Sequence, residues 1–333
     1  MGITPNCVNN VMNTIPTTFN TPDVPYMVVG GSKSDKKKQL PSDLSILVLN
    51  RGSRLYKDEF FTELEKMGDY EILSVESPGT PYDVETLTAR HPKVRFLVFQ
   101  EAVSAGKQIN TGIEESHGRY ILVLWNDAVF QSSGSLEKLI SRTAKQNVLC
   151  VVPVLQDQKY EMLPSLQAPA FHRNKLKMVS LAPKADEMTS LYPFDYTGIY
   201  NKEKFILVGG YDITMNQQYW QKLDFGFRSY MWGEKIICDT SFRFVYRNEI
   251  PPEDTTPESS YKLFFLKNLC IRFQGDTGVL PASRFFSYLF KSGGTFLQSL
   301  EEFKIVRAWV KINKYRFQQD ARSVTELWEI PEM

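Results

Sequence analysis

The sequence predicts an α/β fold in which helices flank a mostly parallel central sheet. Short apolar runs alternate along the chain with longer segments whose apolar residues recur every three or four positions. The alternation of strands and amphipathic helices along the chain is typical of a parallel sheet. The chain has 333 residues, of which 42% are hydrophobic and 13% aromatic. This length and composition suffice for one large domain with an appendage.

The first three elements form one βαβ unit. Residues 44–49 form an apolar run too short for a helix, residues 57–67 have helical periodicity, and residues 70–75 form the next short run. The alternation continues, with strands predicted at 94–99, 120–125 and 148–155 and helices at 106–117 and 135–146. No GxGxxG or GxxxxGK[ST] loop follows any of these strands, so the signatures of dinucleotide and P-loop sites are missing.

Composition divides the chain into three regions. Residues 1–41 are rich in Asn, Thr, Pro, Gly and Ser, which predicts a flexible N-terminal extension. Residues 42–250 hold the α/β alternation. Residues 251–333 begin with a proline-rich turn and contain helical patterns at 259–273 and 296–310, which predict a C-terminal helical extension. Basic residues lie between the apolar positions of the last of these helices. Such a helix could contact a membrane peripherally or pack on its own domain.

Charge and cysteine content narrow the class of protein. Lys and Arg number 39 against 38 Asp and Glu, so the net charge indicates no nucleic-acid partner. The four cysteines lie far apart without CxxC spacing, which favours a reducing, cytoplasmic compartment. No apolar run reaches the ~18 residues that a membrane span needs, and no signal-peptide pattern opens the sequence.

Polar side chains stand where three of the predicted strands end. Asn50 and Arg51 follow the first strand, Glu76 the second, and Asn126 and Asp127 the fourth. The carboxyl ends of parallel strands meet at one edge of the sheet, where ligands of α/β proteins bind. Asp127, directly after the apolar run that ends in a tryptophan, is either a site carboxylate or an ordinary turn residue. The convergence of three such ends favours a site.

Six segments, in order, resemble motifs of family 2 glycosyltransferases of the A-type fold. Gly118-Arg-Tyr-Ile-Leu-Val-Leu-Trp-Asn-Asp127 resembles the family's Gly-x-Tyr-(apolar)4-Asp-x-Asp, and Leu223-Asp-Phe-Gly-Phe-Arg228 resembles the end of its Glu-Asp-x-Asp-Leu-x-x-Arg motif. The other four are residues 49–51, 76–80, 105–113 and 200–212. The resemblance implies the A-type glycosyltransferase fold, also described as the nucleotide-diphospho-sugar transferase fold.

The resemblance also implies roles for individual residues. Asp127 would hold a divalent cation, Mg²⁺ or Mn²⁺, that bridges the donor diphosphate, and Glu76 would bind the ribose or the base. Lys107 either approaches the diphosphate or is an exposed helix lysine, and Asn110 either touches ligand or holds the strand–helix junction. The implied donor-binding set is Asn50, Arg51, Glu76, Lys107, Asn126 and Asp127.

Two departures from the family pattern bear on metal and catalysis. Trp125 replaces the first Asp of Asp-x-Asp and cannot ligate a metal, and no histidine stands near Tyr246, where the family places a metal ligand. Gln221 and Lys222 replace the Glu-Asp pair that contains the usual general base. The remaining candidates for that base are Asp224, Asp212 and Asp195. Asp224 could equally cap the helix that carries Arg228, and Asp195 could instead be a turn residue in an aromatic cluster.

The resemblance therefore implies a cytoplasmic glycosyltransferase of polysaccharide biosynthesis. It would move a sugar, with inversion, from a nucleoside diphosphate donor to a carbohydrate or lipid-linked acceptor. The alternative is a catalytically degenerate member that binds a nucleotide, a glycan or a protein partner. Trp125, Gln221 and Lys222 favour that alternative.

Overall fold

The structure is a computed structural model, and it describes residues 24–31, 43–51, 57–78, 84–131, 136–173 and 175–329. The strands are β1 Tyr26–Gly30, β2 Leu44–Leu49, β3 Glu71–Glu76, β4 Val94–Phe99, β5 Tyr120–Trp125, β6 Ala128–Phe130, β7 Cys150–Gln156, β8 Leu166–His172, β9 Lys175–Leu181, β10 Gly198–Asn201, β11 Ile236–Tyr246, β12 Arg272–Gln274 and β13 Thr277–Val279. The α-helices are α1 Lys57–Met67, α2 Val84–Arg90, α3 Ala105–Glu115, α4 Leu136–Gln146, α5 Lys202–Leu207, α6 Gln218–Met231, α7 Ser259–Phe264, α8 Arg284–Ser292, α9 Phe296–Asn313 and α10 Ala321–Glu326.

Nine strands form the central sheet in the order β1-β4-β3-β2-β5-β10-β7-β11-β6. Strands β4, β3, β2 and β5 are parallel neighbours, and β7 and β11 form a second parallel pair. Strand β10 runs antiparallel between these two groups, and antiparallel strands also close both edges. The predicted α/β fold with a mostly parallel sheet is confirmed.

The strand β1 corrects part of the prediction for residues 1–41. Its residues Tyr26–Gly30 pair with β4 along the whole strand and form an edge of the sheet. Its burial alternates only weakly, so the local sequence carries no clear strand pattern. The backbone hydrogen bonds to β4 hold it, and these cannot be read from composition. The rest of the predicted extension, residues 1–23 and 32–41, lies outside the described residues.

The core forms because helices cover the parallel strands on both faces. Every residue of β2 and of β5 is buried, as expected for central parallel strands. Helix α3 lies against β2 at Gly112, where a Cβ atom would come within 2.3 Å of the Leu47 side chain. Glycine at this position therefore allows the close approach of helix to sheet.

The C-terminal region packs on helix α6 and is not wholly helical. The helix predicted for 259–273 is α7 followed by a π-helical turn, Phe265–Leu269, and the chain then forms the β12–β13 hairpin. Trp309 of α9 stacks on Trp232 at a centroid distance of 5.9 Å, and Trp328 contacts Tyr230 at 4.8 Å. Among the described helices, none combines the length and apolar character required to cross a bilayer.

A buried ionic cluster joins the C-terminal region to the sheet domain. Lys267 of the π-helical turn lies 2.5 Å from Asp212 Oδ2 and 3.2 Å from Asp224 Oδ1. Asp224 also accepts hydrogen bonds from Arg228 at 3.0 Å and from Asn268 at 2.8 Å. Burial alone would raise the pKa of Asp224, but the positive charges of Lys267 and Arg228 outweigh it and lower that pKa. The two aspartates and two cations therefore neutralise one another inside the protein.

We predict that Lys267→Met lowers the free energy of unfolding by about 3–5 kcal/mol, because the change leaves two buried carboxylates short of a cation. Because the folded-state pKa of Asp224 lies below its unfolded value of about 3.9, its stabilisation is present above that pH and is lost as the pH falls through the folded-state pKa. Urea denaturation at pH 7 measures the first effect, and a series of denaturation curves from pH 5 down to pH 2 measures the second.

The matched control is Lys66→Met, at an exposed position of α1. Its free energy of unfolding should stay within about 0.5 kcal/mol of wild type. A loss below about 1 kcal/mol in Lys267→Met would mean that the cluster contributes little to joining the two regions.

Candidate active site

The structure brings the predicted strand-end residues together. Strands β3, β2 and β5 are adjacent and parallel, so Glu76, Asn50 and Asn126 emerge at the same edge of the sheet. The amide of Asn50 donates hydrogen bonds to Val75 O at 2.7 Å and Ser74 Oγ at 3.0 Å, and it lies 3.3 Å from Glu76 Oε1. The convergence predicted from the sequence is therefore present as direct contacts.

Glu76 is buried in an ion pair with Lys57, the first residue of α1. Lys57 Nζ donates to Glu76 Oε2 at 2.6 Å, and Ser74 Oγ donates to Oε1 at 2.7 Å. Burial disfavours both charges, so it raises the pKa of Glu76 and lowers the pKa of Lys57, while their mutual attraction opposes both shifts. Glu76 is only 1% exposed. Its carboxylate is thus directed to the protein's own groups.

Arg51 connects Asp127 with Asp195. Its Nε lies 3.2 Å and 3.1 Å from the two carboxylate oxygens of Asp127, and its Nη1 donates to Asp195 Oδ2 at 2.7 Å. The backbone N–H of Arg51 donates to Asn126 Oδ1 at 3.1 Å. Burial alone would lower the pKa of Arg51, but the negative charges of Asp195 and Asp127 outweigh burial and raise that pKa.

Two aromatic rings hold the guanidinium of Arg51. Its Cζ lies 4.6 Å from the ring centre of Trp125 and 5.0 Å from that of Tyr246. Both distances are within the range of cation–π attraction. Trp125 Nε1 also donates to the carbonyl oxygen of Asp195 at 2.8 Å. Trp125, in place of the first Asp of Asp-x-Asp, therefore supports a cation that belongs to the protein.

Asp195 lies in a strained turn beside this cation. Its φ of +51° is in the left-handed region, which a non-glycine residue adopts only when its surroundings hold it there. Tyr246 donates to its Oδ2 at 3.1 Å, whereas its Oδ1 accepts no hydrogen bond within the described part of the chain. Burial raises the pKa of Asp195 although Arg51 and Lys222 act to lower it. Asp195 is thus a carboxylate with one occupied oxygen and one open oxygen.

The residues that replace the family's Glu-Asp pair have structural contacts. Gln221 accepts hydrogen bonds from Gly106 N and from Tyr196, both at 3.1 Å, and donates to Asp212 O at 2.9 Å. It thereby fixes the start of α3 against α6. A Cβ atom at position 106 would lie 2.3 Å from Gln221 Oε1, so glycine is required for this contact.

Lys222 is surrounded by aromatic rings. Its ammonium lies 5.2 Å from the ring centre of Tyr196, 5.5 Å from that of Tyr192 and 5.8 Å from that of Phe194, and it is hydrogen-bonded to Glu253. An ammonium donates hydrogen bonds and has no lone pair with which to take a proton from an acceptor hydroxyl.

Asp212 and Asp224, the other two predicted candidates for the base, belong to the buried cluster around Lys267. Asp212 Oδ1 accepts from Thr214 N at 3.0 Å and from Thr214 Oγ1 at 2.6 Å, while its Oδ2 faces Lys267. Asp224 has no exposed surface. These contacts favour a structural role for both residues and leave Asp195, which is also buried but has one oxygen without a hydrogen bond from a described residue, as the remaining candidate for the base.

Two further residues of the predicted site lie on α3. Asn110 exchanges two hydrogen bonds with the backbone of Tyr211, at 2.8 Å and 2.9 Å. It therefore holds α3 to the turn after Gly209 and Gly210, whose positive φ values of +83° and +57° require glycine. Lys107 is half-buried in the first turn of α3.

The side chains at this edge of the sheet do not provide suitable ligands for the predicted divalent cation. Both oxygens of Asp127 face the Arg51 guanidinium, and Trp125 offers no ligand. No three His, Cys, Asp or Glu residues within the described ranges form a cluster that could hold a metal ion. Mg²⁺ prefers near-octahedral oxygen coordination, which these residues do not supply.

The sequence analysis did not single out Lys57, Glu253 or Lys267. Lys267 interrupts an otherwise apolar run, Leu263-Phe-Phe-Leu-Lys-Asn-Leu269, and a lone lysine in such a run signals a buried, paired cation. The pairing of Lys57 with Glu76 leaves no comparable signal, because a lysine at the first position of a helix is usually solvated.

Comparison with known proteins agrees with this architecture. The sequence model of the family described as glycosyl transferase family 2 matches residues 45–250, whereas no curated protein sequence matches the chain. The structure is similar to GalNAc-T7 solved with UDP, GalNAc and Mn²⁺, with a TM-score of 0.56, 13% identity, and coverage of 86% of this chain and 58% of that one. It is also similar to S. aureus TarS 1-349 in complex with UDP-GlcNAc, with a TM-score of 0.50, 12% identity, and coverage of 81% and 72%.

These structural likenesses concern the fold, and they confirm the predicted A-type glycosyltransferase architecture. The chain spans 58% of the length of the GalNAc-T7 chain. The family match covers more than half of the chain and includes every strand-end residue described above. The chain therefore belongs to glycosyl transferase family 2.

Proposed function

We propose that this protein transfers a glycosyl group from a nucleoside diphosphate sugar to a carbohydrate or lipid-linked acceptor. Two neighbouring unsatisfied groups carry the proposal. Asn50 Oδ1 and Arg51 Nη2 are both buried, and neither has a hydrogen-bond partner in the described part of the chain. Buried polar groups are normally paired, so an unpaired acceptor beside an unpaired donor calls for an explanation.

A nucleoside diphosphate is complementary to this pair of groups. A base N–H can donate to the Asn50 oxygen, and a phosphate oxygen can accept from the Arg51 guanidinium. Both residues follow β2 at the edge of the sheet where α/β proteins bind ligands. The uridine nucleotides solved with GalNAc-T7 and TarS make UDP-sugars the first donors to test.

In this proposal the other donor-side residues act by positioning. Glu76, Ser74 and the Val75 carbonyl engage the Asn50 amide nitrogen, which leaves the amide oxygen as its free end. Asn126 accepts from the backbone of Arg51 and Asp127 orients its side chain. Lys107, at the start of α3, remains a candidate for a contact with the diphosphate.

We assign the role of general base to Asp195. In an inverting displacement, a base takes the proton of the acceptor hydroxyl as its oxygen attacks the anomeric carbon. Asp195 has an open Oδ1, and its raised pKa makes it a better proton acceptor than an ordinary aspartate. Asp212 and Asp224 are engaged with Lys267 instead.

The acceptor side of the proposal rests on the C-terminal region. Lys304, Arg307 and Lys311 recur along one side of α9, and Lys314 follows at its C-cap. These four side chains line a groove of about 510 Å³ with Val279, Leu280, Ala308 and Val310. None of the four cations forms an ion pair with a described residue. Phe286 and Phe290 of the amphipathic helix α8 are 63% and 87% exposed. Basic and aromatic side chains together suit the surface of an anionic membrane, where a lipid-linked acceptor would lie.

We therefore propose peripheral membrane contact on the cytoplasmic side, as polysaccharide assembly on a lipid carrier would require. The surface of α8 and α9 provides it without a spanning helix. This assignment gives a role to the basic side chains of this surface, which form no ion pair with a described residue.

A second candidate function is binding without turnover. The specific observation in its favour is the engagement of Lys222 with Glu253 and three aromatic rings, at the position where the family has its base. A protein of this kind would bind a nucleoside diphosphate or a glycan and leave the donor intact.

We predict that Asp195→Asn lowers transfer or donor hydrolysis by roughly 10²–10⁴-fold, which is the usual contribution of a general base. Nucleotide affinity should change little, because Asn at this position can still accept a hydrogen bond from Arg51. Turnover of UDP-sugars, together with calorimetric titration of UDP, measures the two effects separately.

The control for this variant is Asp69→Asn, at an exposed position before β3 and at the opposite edge of the sheet. It should leave both turnover and binding unchanged. Nucleotide binding by the wild type without any turnover would favour the second candidate. Equal turnover in wild type and Asp195→Asn would remove Asp195 from the role of base.

We predict that the protein co-sediments with vesicles containing phosphatidylglycerol more strongly than with neutral phosphatidylcholine vesicles. Replacing Lys304, Arg307, Lys311 and Lys314 with Gln should reduce this binding by at least tenfold, since each basic residue near an anionic surface contributes about 1 kcal/mol. Salt should weaken the wild-type binding in the same way.

The matched control replaces four exposed lysines elsewhere, Lys145, Lys159, Lys175 and Lys177, with Gln. It changes the net charge by the same amount. If both quadruple variants lose binding equally, general charge attraction explains the result and the α9 surface has no special role.

A further inference from the structure

We infer that Arg51 performs the electrostatic task for which this fold family uses a divalent cation, so that nucleotide binding by this protein requires no metal. The inference rests on the proposed function, since it concerns the donor diphosphate. Asp127 and Trp125 do not offer a divalent cation the oxygen ligands that it needs.

The position of Arg51 is the first step. Its guanidinium lies between the two carboxylates of this edge, at 3.1 Å from Asp127 Oδ2 and 2.7 Å from Asp195 Oδ2. A metal bound by Asp127 would have to displace this guanidinium from the same carboxylate oxygens. The protein's own cation therefore occupies the place that the sequence analysis assigned to Mg²⁺ or Mn²⁺.

The second step is the hydrogen-bond inventory of Arg51. A guanidinium has five N–H donors in a rigid planar fork. Nε is bound to Asp127 and Nη1 to Asp195, whereas Nη2 is buried and has no partner among the described residues. Arginine binds phosphate through such N–H groups, so Nη2 is the donor available to an anionic oxygen.

The third step is that the fork is held in one orientation. The rings of Trp125 and Tyr246 contact it at 4.6 Å and 5.0 Å, and Asp127 and Asp195 bind it from its other nitrogens. Preorganised donors stabilise developing charge more effectively than mobile ones, because they need no reorganisation during the reaction. Trp125 and Arg51 are thus linked: the residue that removes a metal ligand also supports the replacing cation.

The chemistry of transfer shows what this cation would do. The bond between the anomeric carbon and the β-phosphate oxygen breaks, and its electron pair stays on the phosphate. The acceptor oxygen forms the new bond to the anomeric carbon, and its proton passes to the base. The departing nucleoside diphosphate gains negative charge, which the Arg51 guanidinium stabilises through Nη2.

The test is calorimetric titration of UDP, GDP and dTDP into the full chain, once in EDTA and once in Mn²⁺. We expect at least one nucleotide to bind with the same affinity, within twofold, under both conditions. Arg51→Lys keeps the positive charge beside both aspartates, so the fold is retained, but it removes the fork. It should weaken that binding at least tenfold, with or without Mn²⁺.

Arg95→Lys is the matched control. Arg95 also lies between two carboxylates, at 2.9 Å from Glu71 and 2.7 Å from Glu115, and its side chain is 20% exposed against 16% for Arg51. It lies toward the opposite edge of the sheet, beside the first residue of β3. Nucleotide affinity in Arg95→Lys should equal that of the wild type.

The outcomes separate the inference from the proposed function. Binding that appears only with Mn²⁺ would overturn the inference and keep the nucleotide-sugar site. Equal affinity in wild type and Arg51→Lys would also overturn it, because another group would then hold the diphosphate. No binding of any nucleotide under either condition would contradict the proposed function and the inference together.

Discussion

The ion pairs of Arg51 with Asp127 and Asp195 are the interaction on which the rest of the site depends. They join the end of β2 to the end of β5 and to the turn before β10. Arg51 and Asp195 are 144 residues apart in the chain. Removing Arg51 would take away the ion-pair partner of two buried carboxylates, which is costly in a protein interior. These ion pairs and the rings of Trp125 and Tyr246 therefore fix the relative positions of the site's side chains.

A second ionic cluster lies where the C-terminal region packs on the sheet domain. Lys267 holds Asp212 and Asp224, and Gln221 joins the same turn to the start of α3. Residues 251–333 thus contribute a buried cation to the sheet domain, in addition to the surface of α8 and α9. This contact explains why two aspartates in family-like motifs are directed away from solvent. They stabilise the position of α6 against the C-terminal region.

Sequence reasoning predicted the parts of the fold that local pattern determines. The bounds of β2, α1, β4 and β5 were predicted to the residue, because apolar runs and helical periodicity end there abruptly. It missed β1, which is held by pairing with β4. In the site, it predicted that Asn50, Glu76 and Asp127 would meet, since parallel strands end at one edge. It did not predict that Lys57 and Arg51 would neutralise two of them, because ion pairs between distant segments leave no local pattern.

The central claim is that Arg51 receives the donor diphosphate directly. A crystal structure of the complex with UDP, grown in EDTA, tests it most directly. The account predicts a phosphate oxygen within about 3 Å of Arg51 Nη2 and the base N–H at Asn50 Oδ1, with Arg51 still bound to Asp127. A diphosphate that lies away from Arg51, or an Arg51 side chain turned out of the site by the nucleotide, would contradict it.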